Sequence, residues 1–178
     1  MTEPVQKNAG ILHHQLTKSA VLLALALIFQ IGFMPFAQPV VGPLVNMTLL
    51  LAVLTVGPFH AVMIGCITPV MAFMLGIMPM PLLVPVVVLG NAAFITVFYG
   101  AAIKMKRINQ MMALVAAALF KYAIMASSIR LIAAQFMPGM PDRLIHAFSL
   151  PQFYTAMLGG MLALLIGRYL PKEYTSAD

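Results

Sequence analysis

Between Glu3 and Asp142 the chain contains no aspartate or glutamate, and nearly all of its long apolar runs lie inside that interval. Of the 178 residues, 62% are hydrophobic and 8% charged, where a soluble domain carries about 25% charge. No water-soluble globule of this length hides such an apolar excess, whereas a bilayer does so directly. The net charge of +6 would suit nucleic acid if it formed a basic face. Instead, Lys and Arg sit at the ends of apolar runs, where they orient a membrane protein. Nucleic acid is therefore excluded as a partner, and the lipid bilayer is the expected surrounding.

Hydrophobic runs and their Pro, Gly and charge punctuation give six spans in a single domain, at roughly 17–34, 44–56, 58–76, 82–103, 110–136 and 150–169, behind a short polar lead of 1–16. The second span is short against the roughly 20 residues a crossing helix needs. Gly57 and Pro58 join it to the third with almost no loop, so those two spans read as a tight re-turning pair. The expected fold is an all-α membrane protein, a bundle of about six transmembrane helices. Lys18 and the apolar run from Ala20 to Phe36 look like a leader, but Pro35 stands where a cleavage site needs a small residue. The run is read as a retained first helix.

With six spans, the N-terminus, the 57–58 turn, the 104–109 loop and the C-terminus share one side. That side holds Lys7, Lys18, Lys104, Lys106, Arg107, Arg168 and Lys172; the opposite loops offer Arg143 beside Asp142. The positive-inside rule places both termini in the cytoplasm. The opposite loops are proline-rich: Pro35, Pro39, Gly42 and Pro43; Gly76, Pro79, Pro81 and Pro85; Pro138, Gly139, Pro141 and Pro151. Proline fixes φ and lacks an N–H, so these stretches read as shaped, non-helical covers. Helix termination explains the same prolines, and three such loops on one face permit a lidded pocket facing outward.

Lys121 is the most informative residue. In a span starting near 110 it lies about 16 Å deep at about 1.5 Å per residue, near the middle of a roughly 30 Å core. Burying it costs about 3 kcal/mol or more unless it is paired or faces a wet cavity, and the acid-free interval offers no carboxylate. Its partner is then carbonyls, water or an anionic ligand, unless the helix is shifted and the amine snorkels. Ser128 and Gln135 follow at intervals of seven, close to one helical face. Arg130 falls on nearly the opposite face. Gln38, Asn46, Asn91, Gln152 and Tyr154 gather from the proline-loop side to mid-membrane. Each amide has a structural reading as interhelical glue; as a set they suggest a small-molecule site.

Small residues repeat every four: Ala20 and Ala24 on the first span, and Gly159, Ala163 and Gly167 on the sixth. Such faces pack a bundle internally or dock another membrane subunit. The single Cys66 lies in an apolar run and reads as packing. The histidines are spread over both sides and suggest no metal site. No phosphate loop, intramembrane acid or base–nucleophile pair is visible, so neither an enzyme nor a cofactor is indicated.

The chain resembles the substrate-binding S components of bacterial energy-coupling factor (ECF) transporters. The resemblance rests on size, six spans with cytosolic ends, the A-x-x-x-A of Ala20 and Ala24, and the stretch GPLVNMTLLLAVLTVGPFHAVMIGCITP from Gly42 to Pro69. It implies a multi-pass protein of the bacterial cytoplasmic membrane that binds a vitamin or cofactor precursor in an outward pocket capped by the loops after spans one and three. It implies a separate transmembrane coupling subunit and two ATPase subunits, with Ala20 and Ala24 facing the coupling subunit. The unpaired Lys121, to which Arg130 could add, argues for a carboxylate or phosphate on the ligand. With the resemblance, this suggests an acidic vitamin-like molecule such as a lipoate, pantothenate or nicotinate type. The expected ligand set is Gln38, Asn46, Asn91, Lys121, Ser128, Arg130, Gln152 and Tyr154. A membrane scaffold of the cell-shape type, with a similar helical layout and no small-molecule ligand, is the alternative.

Overall fold

The computed structural model describes residues 3–33, 38–105 and 108–171, with side chains described from His13 onward, Gln38 excepted. Pro35, Lys106, Arg107 and Lys172, and the side chains of Lys7 and Gln38, therefore lie outside the described residues. Within them the chain is helical and has no strand. The helices are α1 (Glu3–Gly32), α2 (Gln38–Val56), α3 (Pro58–Met74), α4 (Leu83–Phe98), α5 (Gln110–Gln135), the short α6 (Asp142–Ala147) and α7 (Leu150–Tyr169). A π-helical segment, Tyr99–Lys104, prolongs α4.

Five stretches are long and apolar enough to cross a membrane: His13–Gly32, Pro39–Val56, Leu83–Lys104, Gln110–Gln135 and Asp142–Tyr169. The shorter apolar helix is α3, at 17 residues, not the second span as the punctuation suggests. The reason lies at the start of α2, which begins at Gln38 and runs for 19 residues with Pro39 in its first turn and Pro43 inside. First-turn N–H groups have no intrahelical acceptor, so proline is tolerated there. Pro85 and Pro151 occupy equivalent early positions in α4 and α7. Pro39 and Pro43, read from the sequence as loop before a span at 44, lie within α2, while Pro85 and Pro151 stand in the first turns of helices that begin at Leu83 and Leu150. The third proline-rich loop contains α6.

The α2–α3 junction needs one special residue. Gly57 has φ 89°, a left-handed conformation that costs a side-chain-bearing residue about 1 kcal/mol or more. Pro58 then opens α3 with its φ already helical, and the Ala61 N–H closes the first turn on the Gly57 carbonyl at 3.2 Å. At the start of α5, the Asn109 side chain accepts a hydrogen bond from the Met111 N–H at 3.1 Å, capping a terminus that follows a polar loop.

α2 is the central helix. It is buried without interruption from Asn46 to Val53, as a helix apolar on all sides should be. It packs against α7, α1 and α3, while α4 packs on α5 and α5 on α7. Small residues set the closest approach. A Cβ at Gly159 of α7 would collide with the Pro43 carbonyl oxygen and lie 2.8 Å from the Asn46 Cβ, so α7 rests directly on the α2 backbone. Gly167, two turns on, faces Leu54, and Ala163 between them is fully buried. The ladder on the last span thus packs the bundle internally. Ala20 and Ala24 of α1 are exposed.

The main core joins α1, α2, α3, α4, α5 and α7 around Leu49, Leu50, Phe94 and Leu114. A second cluster closes the end that carries residues 75–82 and 136–149, built on Leu83, Met125, Ile129, Met140 and Phe148 with Met78, Met80 and Met137 against them. Methionine suits such a cap because its unbranched chain adapts to irregular gaps.

Candidate functional site

The site starts from a missing hydrogen bond. Pro69 lies inside α3 and has no N–H to give to the carbonyl of Gly65, four residues back. That carbonyl accepts instead from the Asn91 Nδ2 of α4 at 3.0 Å. With its amino group held, Asn91 turns Oδ1 toward α5, where it accepts from Lys121 Nζ at 2.8 Å. Proline in one helix thereby orients an amide on the next to receive a lysine from a third.

A second arm comes from α2. Asn46 Oδ1 accepts from the same Lys121 Nζ at 2.6 Å, and its Nδ2 points at Thr155 Oγ1 of α7 at 3.5 Å. The Thr155 hydroxyl donates to the Gln152 carbonyl at 3.2 Å, and Gln152 Nε2 donates to the Ala147 carbonyl at 3.0 Å. The ring of Phe94 lies 5.5 Å from Lys121 Nζ, within range of a cation–π attraction. Lys121 is 3% exposed, and Asn46 and Asn91 are 2% exposed. An ammonium carries three N–H donors; two are taken by amide oxygens, which neutralise none of its charge.

Beside this network is a cavity of about 80 Å³ whose polar wall comes from Gln30, Asn46, Thr68, Asn91, Lys121 and Gln152. Val45, Met125 and Met78, the last from the α3–α4 connection, supply part of the apolar wall. Two buried polar atoms of this wall have no hydrogen-bond partner among the described residues: Gln30 Oε1 and Thr68 Oγ1. A buried polar atom left unpaired costs about 1–3 kcal/mol. At about 80 Å³ the cavity is smaller than the roughly 300–1,000 Å³ of pockets that enclose whole drug-sized ligands. It is sized for a small polar group.

Of the residues singled out in the sequence, Asn46, Asn91, Lys121 and Gln152 come together on this cavity. Ser128 shares the face of Lys121 but stands about 10 Å further along the helix; it is half-buried. Gln135, a turn or two beyond, is exposed. Arg130 is also exposed, and its Nη1 donates to the Ala126 carbonyl of its own helix at 3.0 Å. Tyr154 lies on the outer side of α7, 56% exposed, in a separate open groove with Arg143 and His146. Gln38 begins α2, and its side chain lies outside the described residues. Among the described residues no group of His, Cys, Asp or Glu is placed to hold a metal ion.

Sequence reasoning passed over Gln30 and Thr68. Gln30 carried a usable signal, an amide inside an apolar run, the same one that marked Asn46 and Asn91. Thr68 carried none, because a helical threonine ordinarily bonds its own backbone. Thr48 and Thr55 do so, to the Leu44 and Leu51 carbonyls at 2.9 and 2.7 Å.

Compared with known proteins, residues 14–171 match the sequence model of one family, described as ECF transporter, substrate-specific component. No curated protein and no solved structure matches the chain.

Proposed function

The chain belongs to the family of ECF transporter substrate-specific components, and from that premise we propose that it is the high-affinity binding subunit for uptake of a vitamin or cofactor precursor bearing an acidic group. One observation carries the reading: a lysine at mid-helix, buried at the wall of a small cavity, whose hydrogen-bond partners are neutral amides. An anion entering the cavity takes the third N–H of Lys121 and neutralises its charge where solvent screening is weak, so the pair gains more than it would in water. Asn46 and Asn91 hold the ammonium in position beforehand, which lowers the ordering cost of binding. Gln152 borders the same space. A ligand larger than the cavity requires Met78 and the 75–82 connection to move aside, consistent with a methionine-lined cap over the site.

In this reading the site opens outward, both termini are cytoplasmic, and the protein resides in the bacterial cytoplasmic membrane. Energy comes from a transmembrane coupling subunit and two ATPase subunits. The exposed faces of Ala20 and Ala24 on α1 are the proposed contact with the coupling subunit, since small side chains let helices approach closely.

Native mass spectrometry of gently purified protein tests the binding role. A stoichiometric acidic molecule is expected on the wild type and is lost on Lys121→Ala. Retention of the ligand by that variant with undiminished affinity refutes the charge argument. Ala20→Trp and Ala24→Trp are expected to abolish copurification with the coupling subunit while leaving ligand bound. An intact complex refutes the docking face.

A further inference from the structure

A second concavity lies at the end of the bundle that carries residues 136–149. It is an open groove of about 540 Å³ between the start of α2, α6 and α7. Pro39, Ala147, Pro151 and Leu158 give it apolar walls, and Arg143, His146 and Tyr154 stand among them. No hydrogen bond or ion pair engages these three side chains among the described residues. Asp142, the neighbour of Arg143 on α6, does not line the groove, and among the described residues no other carboxylate does. None of the residues that line the groove lines the Lys121 cavity. Beyond the groove, α7 prolongs the apolar wall. Tyr154, Leu158, Leu162 and Leu165 are all exposed, and their spacing of three and four places them in one stripe. From Tyr154 to Leu165 the helix rises about 16 Å, close to half of the roughly 30 Å hydrocarbon core.

We propose that this groove and stripe hold one anionic phospholipid, its phosphate at Arg143 and one acyl chain along α7. A guanidinium presents its N–H groups as a fork that matches two phosphate oxygens, and the Tyr154 hydroxyl and the His146 ring supply further donors. Tyrosine suits the headgroup level, where its ring stays in apolar surroundings and its hydroxyl in polar ones. Because the stripe is one leaflet long, the chain below the headgroup meets apolar side chains over its whole length. Other occupants match the surface less closely. A partner helix approaches through small residues, whereas this face carries a tyrosine and three leucines. A choline lipid brings a cation beside Arg143, and the groove has no carboxylate to receive it. A free phosphate would leave the apolar stripe unused.

The test is a titration of the full-length protein in detergent with phosphatidylglycerol and phosphatidylcholine of identical acyl chains, read by native mass spectrometry. Glycerol phosphate serves as a competitor without chains. The expected result is one phosphatidylglycerol held at least roughly tenfold more tightly than phosphatidylcholine, the scale of one hydrogen bond to a charged group. Arg143→Gln should erase that preference, and Arg143→Lys should keep part of it. Leu158→Gln should weaken both lipids alike and leave their ratio unchanged. Arg143 and Leu158 are exposed, so these variants should fold, which size-exclusion chromatography checks. Equal retention of the two lipids by the wild type, or Arg143→Gln with its preference intact, overturns the proposal. Leu158→Gln without effect overturns the course of the acyl chain. Displacement of the lipid by an equal concentration of glycerol phosphate makes the groove a site for a soluble anion and overturns the lipid assignment.

Discussion

Replacing Asn91 by leucine removes two hydrogen bonds from the centre of the bundle while nearly conserving volume. One is accepted from the Lys121 ammonium at 2.8 Å, the other donated to the Gly65 carbonyl at 3.0 Å. A hydrogen bond to a charged group contributes about 1.5–3 kcal/mol and a neutral one about 0.5–1.5 kcal/mol. Neither loss is relieved locally. The Gly65 carbonyl has no helical donor because residue 69 is proline, and Lys121 retains Asn46 alone. Asn91→Leu should therefore destabilise the fold by about 2–4 kcal/mol. The double variant with Lys121→Met should be more stable than Asn91→Leu alone, because a buried charge stranded by loss of its partner costs more than an apolar pair of similar size. Reversible unfolding in detergent of the two single variants and the double closes a cycle, with an expected coupling of about 1.5–3 kcal/mol. A coupling below about 0.5 kcal/mol would show that the ammonium does not depend on this amide, and the network argument would fail.

Two further outcomes follow from the same geometry. In a Pro69→Ala background, residue 69 supplies the N–H that Gly65 lacks, so Asn91→Leu should cost about 0.5–1.5 kcal/mol less than in the wild type; an equal cost refutes the role assigned to the proline. Gly159→Val drives a side chain into the Pro43 carbonyl and the Asn46 Cβ, so it should abolish a monodisperse folded protein by size-exclusion chromatography. The same change at Gly32, whose Cβ would meet nothing within 4 Å, should leave the elution profile unchanged; if both variants elute alike, the close approach of α2 and α7 is wrong.

Much of this was legible in the residues. Composition, 62% hydrophobic against 8% charged, pointed to a bilayer. The apolar runs marked α3, α4, α5 and α7 closely. In contrast, α1 begins at Glu3, inside the stretch read as a polar lead of 1–16, α2 begins at Gln38, well before the expected 44, and α6 was not foreseen. Lys121 stood out because in an acid-free interval a mid-span lysine has no carboxylate to pair with. A helix start was misread where proline was taken as loop, at Pro39 and Pro43, both inside α2, whereas α4 and α7 begin at Leu83 and Leu150 with Pro85 and Pro151 in their first turns. A first-turn proline and a loop proline are identical in sequence and differ only in whether the chain beyond them closes helical hydrogen bonds.

Tertiary structure decided which polar residues line one cavity. Periodicity along α5 joined Lys121 to Ser128 and Gln135, but a common face says nothing about depth, and only Lys121 stands at the level of Asn46 and Asn91. Whether Thr68 bonds its own helix or stays unpaired in a cavity depends on neighbours far away in the chain, as does the choice of a bundle contact for Gly159 and an open face for Ala20 and Ala24. The sequence determined the solvent, the helices and one buried charge, because composition and local pattern act through the nearest turn. The cavity exists only once five helices (α1 to α5) and α7 meet, because its walls are set by the angles and depths at which they pack.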